Sequence, residues 1–525
     1  MTATANYTGK VTSVKASDHM SAIPDYLPDM TGSAIIPWVT LAQGFLASGP
    51  PIKVIIGAAM PNIPIEQIVA IVGPENISCA IEERYCYSYD ASKLQAVPDC
   101  VVFPASTAEV SELMKLANRE AFPVFPRGAG SGMVGASVPW AGGLVMAMNR
   151  FNRILRIDPD NMIAIVEPAV VTATLQEEVA RLGLFYPPDP ASLRFSTLGG
   201  NVAMSSGGPR AVKYGVTRDY VMGLEVVLPQ GAVIHTGGNT LKGVVGYDLT
   251  RLMVGSEGTL GIFTQIIVRL LPQPEEIRTL SVVFPLLEKA AQTVAEIIRN
   301  RILPCTLELM DQATIQAVES YLHCGLPVQA DAMLLIELDG PASTLDRELL
   351  QVRDICQRQG AATIEIATTE LERERLWQAR RAISPALGRI RPGKINEDIV
   401  VPRMKVPDLL RTIRGLADKY HLCIVNFGHA GDGNIHMNIL LDPTDKDECK
   451  RAEQAAEELF REVIALGGTL SGEHGVGIAK SPFFHREVGS EGWEAMWRIK
   501  KALDPLNILN PGKMFVGNRA FFQAR

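Results

Sequence analysis

A run of closely spaced glycines at residues 127–135 (RGAGSGMVG) is the strongest constraint on how this chain can fold. The spacing of its glycines matches the dinucleotide-binding fingerprint. That fingerprint also needs a helix that begins within the loop and an acidic residue about 20 positions later. Pro139 and Gly142 follow too soon for a good helix, and Asn149 and Arg150 stand where the acid would be. The spacing therefore disfavours a Rossmann domain and leaves a turn whose backbone N–H groups can surround an anion beside Arg127.

Three further stretches of turn-forming residues follow in the same half of the chain. Residues 186–190 (YPPDP) predict a rigid turn, whereas residues 196–203 (STLGGNVA) and 255–262 (GSEGTLGI) place hydroxyls beside glycines. Each stretch alone is typical of an ordinary tight turn. Together they favour one large phosphate-bearing ligand that contacts several loops.

Hydrophobic periodicity divides the chain at residues 271–274 (LPQP), because two prolines interrupt the pattern there. Before this point, strands are predicted at 101–103 and 122–126, with a helix between them that Thr107 caps. After it, strands and amphipathic helices alternate: a strand at 281–284, a helix at 286–299, a strand at 333–338 and a helix at 344–358. This alternation predicts an α+β domain whose helices cover one face of a sheet. Residues 1–95 are an N-terminal extension of unclear role.

Composition excludes several classes of protein. The 50 Lys and Arg residues against 57 Asp and Glu give a net charge of −7, so we expect no nucleic-acid partner. Apolar residues make up 47% of the chain, which excludes a disordered protein. The eight cysteines include no Cys-x-x-Cys pair and no signal peptide is visible, so we expect reduced thiols and a cytoplasmic location. The charge-free segment 31–52 is interrupted by prolines and glycines, which favours a buried or interfacial segment over a membrane-spanning helix.

Three of the eight histidines fall in two short motifs, residues 428–436 (GHAGDGNIH) and 471–475 (SGEHG). Strands predicted at 421–427 and 435–441 form a hairpin, which brings His429 and His436 to neighbouring strand ends. Glu473 can join them from the end of a strand at 467–471. Two imidazoles and a carboxylate can bind Zn²⁺, Mn²⁺ or Fe²⁺ with one position open. Histidines that only hydrogen-bond within a turn are the alternative, and a flavin-free metallohydrolase is the rival function.

The glycine-rich stretches, together with Lys213-Tyr214-Gly215 and Asp219, resemble the FAD-binding domain of the vanillyl-alcohol oxidase type. The sequence is most similar to FAD-linked 2-hydroxyacid dehydrogenases, such as D-lactate dehydrogenase and the glycolate oxidase D subunit, over residues 96–515. The resemblance implies an α+β protein with an FAD-binding domain at 96–274, a C-terminal α+β substrate (cap) domain with an antiparallel sheet at 275–516, whose last segment returns to the FAD domain, and a tail at 517–525. The loop lacks the histidine that tethers FAD in many relatives, so non-covalent FAD is implied.

The resemblance also implies which residues bind each group. FAD would contact Pro126, Arg127, Gly128, Ala129, Gly130, Ser131, Gly132, Pro188, Asp189, Ser196, Thr197, Gly199, Gly200, Asn201, Ala203, Tyr214, Gly215, Glu257, Gly258, Gly261, Ile262 and Asn510. The divalent metal would be held by His429, His436 and Glu473, with His474 as general base. The substrate would contact Arg380, Ser384, Lys394 and Asn438. The predicted helix leaves the register ambiguous by one, so Arg381 is a rival to Arg380.

The activity implied is oxidation of a D-2-hydroxy acid, D-lactate before glycolate or D-2-hydroxyglutarate, to the 2-oxo acid. The hydride passes to FAD with help from the metal and His474. Because this chain encodes no cluster or haem motif, a separate acceptor is expected: an electron-transfer flavoprotein, an iron–sulfur subunit or a quinone. Peripheral contact with the inner face of a membrane and a homodimer are further expectations.

Overall fold

The structure is a computed structural model that describes residues 63–515. The segment at 31–52 and the tail at 517–525 lie outside the described residues. The described chain consists of a first unit up to about residue 275 and a second unit built on a large sheet, and the C-terminal residues return to the first unit, where Val124 pairs with Leu509.

The first unit combines helices and short strands. Its helices are α1 (Ile65–Val72), α2 (Ile81–Cys86), α3 (Thr107–Glu120), α4 (Thr172–Ala180), α5 (Leu198–Met204), α6 (Ala211–Tyr214) and α7 (Leu249–Met253). Its strands are β1 (Ile77–Ser78), β2 (Cys100–Val102), β3 (Val124–Arg127), β4 (Leu144–Ala147), β5 (Ile154–Asp158), β6 (Ile163–Val166), β7 (Leu184–Phe185), β8 (Val221–Val227), β9 (Val233–Gly237), β10 (Ile262–Arg269) and β11 (Leu271–Pro272).

These strands form two main sheets that present the glycine-rich loops. The order is β1-β2-β4-β3 in one sheet, where β2 and β3 run parallel to β4, and β5-β6-β10-β8-β9 in the other, which is antiparallel. Ser106, and not the predicted Thr107, caps the helix α3, because the Ser106 side chain accepts a hydrogen bond from the Glu109 N–H group. Thr107 is the first residue of the helix. The loop after β3 contains turns but no helix before β4 begins, so the fold is not a Rossmann fold.

Residues 63–95 pack onto this unit, although the sequence suggested a separate extension. Ile68 and Val72 of α1 share a hydrophobic core with Leu113 and Met114 of α3, and β1 pairs with β2. Burial of these apolar side chains stabilises the arrangement by roughly 1.5–3 kcal/mol for each large side chain. The first unit therefore begins before residue 96.

The second unit is a sheet covered by helices. Its strands are β12 (Glu276–Phe284), β13 (Thr306–Asp311), β14 (Ala332–Gly340), β15 (Thr363–Ala367), β16 (Gly393–Val400), β17 (Cys423–His429) and β18 (Asn434–Leu441). Its helices are α8 (Leu287–Arg299), α9 (Gln312–Leu322), α10 (Ala342–Arg358), α11 (Glu370–Arg381), α12 (Ile383–Ile390), α13 (Val406–Tyr420), α14 (Lys446–Ala465) and α15 (Ser481–Leu503), which is interrupted at Gly489. Single 3₁₀ turns lie at Pro74–Asn76, Thr217–Asp219 and Arg403–Lys405.

The seven strands form one antiparallel sheet in the order β15-β12-β14-β13-β17-β18-β16. Alternate residues point to opposite faces. One face buries an apolar core under α8, α10, α13 and α14, which includes Leu309, Ile336 and Met437. The other face carries polar pairs, Asp398 opposite His436 and Asn396 opposite Asn438 in the register, beside a smaller apolar cluster under α9 and α12. Helices therefore pack on both faces of the sheet, not on the one face that the alternation predicted. The predicted α+β class with an antiparallel cap sheet is confirmed.

Two sequence-based details differ. The strand predicted at 467–471 is a single bridge between Val400 and Thr469, because only one residue pair satisfies the ladder. The helix predicted over 377–384 is split at Ala382 into α11 and α12. No helix within residues 63–515 is long and apolar enough to cross a membrane.

Candidate active site

A cleft with about 1260 Å³ of space, including its open mouth, lies along the glycine-rich loops. Among the residues implied to bind FAD, those that line it are Pro126, Arg127, Gly128, Ala129, Gly130, Ser131, Gly132, Thr197, Gly199, Gly200, Asn201, Ala203, Glu257, Gly258, Gly261 and Ile262. Glu473 and His474 line the same cleft. The second histidine motif therefore meets the glycine-rich loops in space, more than 200 residues away in sequence.

The loop is shaped for close approach of a ligand. Gly130 has φ +68, and a Cβ there would lie 2.2 Å from the Arg127 Nη2 atom. A Cβ on Gly128 would lie 2.4 Å from the Thr197 Oγ1 atom. That hydroxyl is buried and has no hydrogen-bond partner within the described chain. A side chain would thus fill this cradle, and an unpaired hydroxyl points to a polar ligand, both of which fit FAD.

Six residues implied to bind FAD do not line the cleft: Pro188, Asp189, Ser196, Tyr214, Gly215 and Asn510. Instead they form the supporting structure. The Tyr214 hydroxyl donates to the Asp339 Oδ2 atom of the second unit at 2.7 Å, and Asp189 contacts Arg210, with a side-chain separation of 3.5 Å. The Asn510 amide donates to the Ala136 and Glu257 carbonyl oxygens.

Other residues line the cleft without having been predicted. They are Met133, Ala136, Ser137, Met148, Pro168, Pro190, Ala191, Ser192, Met204, Ser206 and Phe263. Most of them are small or apolar residues next to the predicted stretches. Proximity in sequence to the glycine-rich loops was the one signal that could have found them.

The candidate metal ligands come together on the polar face of the sheet. The Nε2 atoms of His429 and His436 are 3.4 Å apart, and each lies 3.5 Å from the Glu473 Oε1 atom. Three ligand atoms bound at about 2.0–2.1 Å to one tetrahedral ion lie about 3.3–3.4 Å apart. The triangle therefore has the size that a divalent cation requires, and its donor set of two imidazoles and a carboxylate fits Zn²⁺, Mn²⁺ or Fe²⁺.

Glu308, which the sequence did not indicate, supports this triangle from behind. It is fully buried on β13 directly opposite His429 on β17. Its carboxylate accepts from His429 Nδ1 and from Arg380 Nε, both at 2.6 Å. His429 therefore turns its Nε2 atom toward His436 and Glu473, as a metal ligand must.

The charges in the triangle depend strongly on burial. Burial acts to raise the pKa of Glu473, but His429 and His436 outweigh it and lower that pKa to about 2. Burial lowers the pKa of His436 to about 3. Burial also acts to lower the pKa of His429, but Glu308 and Glu473 raise it well above its usual value. Glu473 and His436 are thus in the ionised and neutral forms that bind metals, whereas a cation would have to displace a proton from His429.

Asp398 organises the loop that carries the second histidine motif. Its Oδ2 atom accepts from the backbone N–H groups of Glu473 and His474, both at 2.8 Å, and its Oδ1 atom pairs with Lys480 at 2.7 Å. The His474 ring stacks on the His436 ring with centroids 5.4 Å apart. These contacts hold His474 beside the triangle, where it lines the cleft together with Glu473.

Glu257 joins the loop to the first unit. This buried residue has φ +55, and its two carboxylate oxygens accept from the N–H groups of Val476 and Gly477, both at 2.7 Å. Its side chain therefore holds the backbone that follows His474, in addition to lining the cleft.

The residues predicted to contact the substrate lie in three places. Arg380 is buried against Glu308 and Phe427, whereas Arg381 is exposed and paired with Glu374, which favours Arg380 as the inward-facing arginine. Lys394 donates to the Ser384 hydroxyl at 3.2 Å. Asn438 accepts from Asn396 at 2.7 Å, beside His436 on the same face.

The fold is shared with vanillyl-alcohol oxidase-type flavoproteins. A structure of 4-ethylphenol oxidase from Gulosibacter chungangensis superposes with a TM-score of 0.70 at 20% identity, covering 88% of this chain and 100% of that one. A structure of p-cresol methylhydroxylase gives 0.71 at 18% identity, covering 86% and 96%. At these identities the likeness defines the fold alone.

Sequence comparison defines the family. Residues 98–237 match the model described as FAD binding domain, and residues 273–514 match FAD linked oxidases, C-terminal domain. The glycolate oxidase subunit GlcD of Bacillus subtilis is 48% identical over 451 residues, 86% of this chain and 96% of that protein. D-lactate dehydrogenase of Anaerostipes hadrus is 32% identical over 453 residues, 84% and 95%. The chain belongs to the FAD-linked oxidase family, and the resemblance predicted from sequence is confirmed.

Proposed function

We propose that the protein oxidises a small 2-hydroxy acid, D-lactate or glycolate, to the 2-oxo acid and passes the electrons to a separate acceptor. One observation carries this proposal: Glu473 and His474 line the cleft formed by the glycine-rich loops. A substrate held by the histidine cluster would therefore face a ligand bound in the cleft. The named activities of the relatives support both acids, and the higher identity to a glycolate oxidase subunit is the reason for keeping glycolate beside D-lactate.

The cleft residues would hold FAD, which would supply the hydride acceptor for oxidation of the substrate at C2. His429, His436 and Glu473 would hold a divalent cation, which would supply a Lewis acid for the substrate hydroxyl.

His474 removes the proton of the substrate hydroxyl in this proposal. Its ring lies against His436 and lines the cleft, so a substrate hydroxyl bound near the triangle comes within reach of an imidazole nitrogen. His474 Nδ1 lies 3.7 Å from the Asp398 Oδ2 atom, so the Asp398 carboxylate helps to hold the ring in place. Removal of the proton as the hydride leaves balances the oxidation of the alcohol to a ketone or aldehyde.

Cationic and polar side chains on the same face bind the substrate carboxylate in this proposal. Lys394 and the Ser384 hydroxyl lie together, and Asn438 lies beside His436. Glu308 occupies the Nε atom of Arg380 and leaves its two Nη atoms without another hydrogen bond in the described chain. Together these donors orient the acid so that C2 faces the cleft.

Anaerobic mixing of the metal-loaded flavoprotein with D-lactate, glycolate and D-2-hydroxyglutarate tests the proposal. We expect D-lactate or glycolate to bleach the flavin absorption within turnover times, and D-2-hydroxyglutarate to react more slowly. Bleaching by none of the three acids would refute the function. Comparing dye reduction with reduction of a purified electron-transfer flavoprotein and of a quinone then identifies the class of acceptor.

A further inference from the structure

A short hairpin at residues 88–96 carries Lys93 to the boundary between the two units. The Ala96 N–H group donates to the Ser88 carbonyl oxygen at 2.9 Å, and Tyr89 pairs with Gln95. The buried carboxylate of Asp90 accepts from the Ser92 N–H group at 3.0 Å and so closes the tip. Lys93 follows with φ +67, which fixes the direction in which its side chain leaves the tip.

The hairpin touches both units. On one side, the Asp90 Oδ2 atom lies 3.8 Å from the position that a Cβ on Gly132 would take, next to the glycine-rich loop. On the other side, the Lys93 ammonium donates to the Pro392 carbonyl oxygen at 3.3 Å. Pro392 is two residues before Lys394, at the start of β16. Lys93 is thus anchored where the strand with the proposed substrate residues begins.

Lys93 and Lys394 are two positive charges without an acidic partner. Lys394 hydrogen-bonds to the neutral Ser384 hydroxyl and Lys93 to a carbonyl, and neither forms an ion pair with a carboxylate within residues 63–515. Burial, and after it the charge of Lys93, lowers the pKa of Lys394. Lys93 is exposed and Lys394 is half-buried, so the repulsion between the two ammonium groups acts mainly on Lys394, and an anion that binds both relieves it.

We propose that Lys93 is a substrate-binding residue that forms, with Lys394 and the Ser384 hydroxyl, the site for a carboxylate of the substrate. The inference rests on the proposed function, because that function supplies the carboxylate. It gives the hairpin at 88–96 a role in the active site, although it lies before both segments that match the family models. A small monocarboxylate can bind two ammonium groups and a hydroxyl at once, since its two oxygens offer about four acceptor positions.

Lys93→Gln tests the proposal, with Lys93→Arg as the conservative variant. Lys289→Gln on α8 is the matched control, because within residues 63–515 the Lys289 ammonium donates only to the Gln292 side chain. We expect Lys93→Gln to keep its FAD, to raise KM about tenfold with a smaller change in kcat, and Lys93→Arg to restore most of the affinity. The dissociation constant of oxalate, titrated against the oxidised enzyme and followed by the flavin spectrum, should rise in parallel without turnover.

Wild-type bleaching separates the two hypotheses. If no 2-hydroxy acid bleaches the wild-type flavin, the proposed function fails, whatever Lys93 does. If the wild type is active and Lys93→Gln has the KM and the oxalate affinity of Lys289→Gln, the role of Lys93 is overturned. A second measurement needs no variant: KM of the wild type should rise with ionic strength because salt screens the two ammonium groups, and a constant KM would contradict the site.

Discussion

Replacement of Glu308 by glutamine should weaken both the fold and the proposed metal site. Glu308 is fully buried and accepts two charge-assisted hydrogen bonds at 2.6 Å, from His429 and from the buried Arg380. Glutamine keeps the shape but removes the charge, so Arg380 is left buried without a counter-ion. Breaking a buried pair in this way costs about 3–5 kcal/mol, and we expect the free energy of unfolding to fall by about that amount.

Urea unfolding of the apoprotein measures this loss, and Glu337→Gln is the control. Glu337 is buried on the neighbouring strand β14, but its hydrogen bonds come from the neutral Thr279 hydroxyl and the Trp377 ring N–H. Its substitution should cost only about 1–3 kcal/mol. In parallel, metal content after dialysis against a graded chelator series should show about a 10- to 100-fold weaker metal site in Glu308→Gln and little change in the control.

Equal unfolding free energies for the two variants would refute the reasoning, since the charge on Glu308 would then not be what stabilises Arg380. Unequal stabilities with equal metal retention would separate the two effects: the pair with Arg380 would stand, and the orientation of His429 by Glu308 would not.

Three further outcomes are expected. Gly130→Ala should weaken FAD binding in a fluorescence titration, because the new Cβ would lie 2.2 Å from Arg127 Nη2 and would force the guanidinium away from the loop, whereas Gly360→Ala, also at positive φ but with open space around it, should bind FAD normally. His474→Ala should keep FAD and lose about 10²- to 10⁴-fold in the stopped-flow rate of flavin reduction, and an unchanged rate would remove the general-base assignment. Burial lowers the pKa of Lys513 to about 7 from the usual 10.5, so the unfolded state binds more protons between these values and the free energy of unfolding should rise with pH there. Lys513→Met should flatten that rise in unfolding experiments, and an identical slope would contradict the burial effect.

The features that sequence predicted well are those that neighbouring residues determine. The turn at 430–433 lies between β17 and β18 as expected, since its small and turn-forming residues act locally. The strand bounds differ by one or two residues because His429 still pairs with Asn434 in the ladder. The glycine-rich loop after β3 was predicted for the same reason, and so was the absence of a helix after it.

The features that sequence missed depend on the order of the strands. Glu308 meets His429 only because β13 pairs with β17, an arrangement that brings together residues 121 positions apart. Asp398 organises Glu473 and His474 through a contact across 75 positions or more. No local pattern marks such residues, because the sequence around a buried acidic residue on a strand does not differ from the sequence around an exposed one.

Neighbouring residues in the strands of the second sheet have different roles, because alternate side chains point to opposite faces. Along β16 and β18, the even positions Lys394, Asn396, His436 and Asn438 lie on the face of the proposed site, while odd positions such as Ile439 lie in the larger apolar core. Substitution of the polar residues on that face would therefore change the proposed site without removing side chains from the larger core. Substitution of the apolar residues between them would instead destabilise the fold. Changes in specificity and changes in stability would therefore come from alternate residues of the same strand.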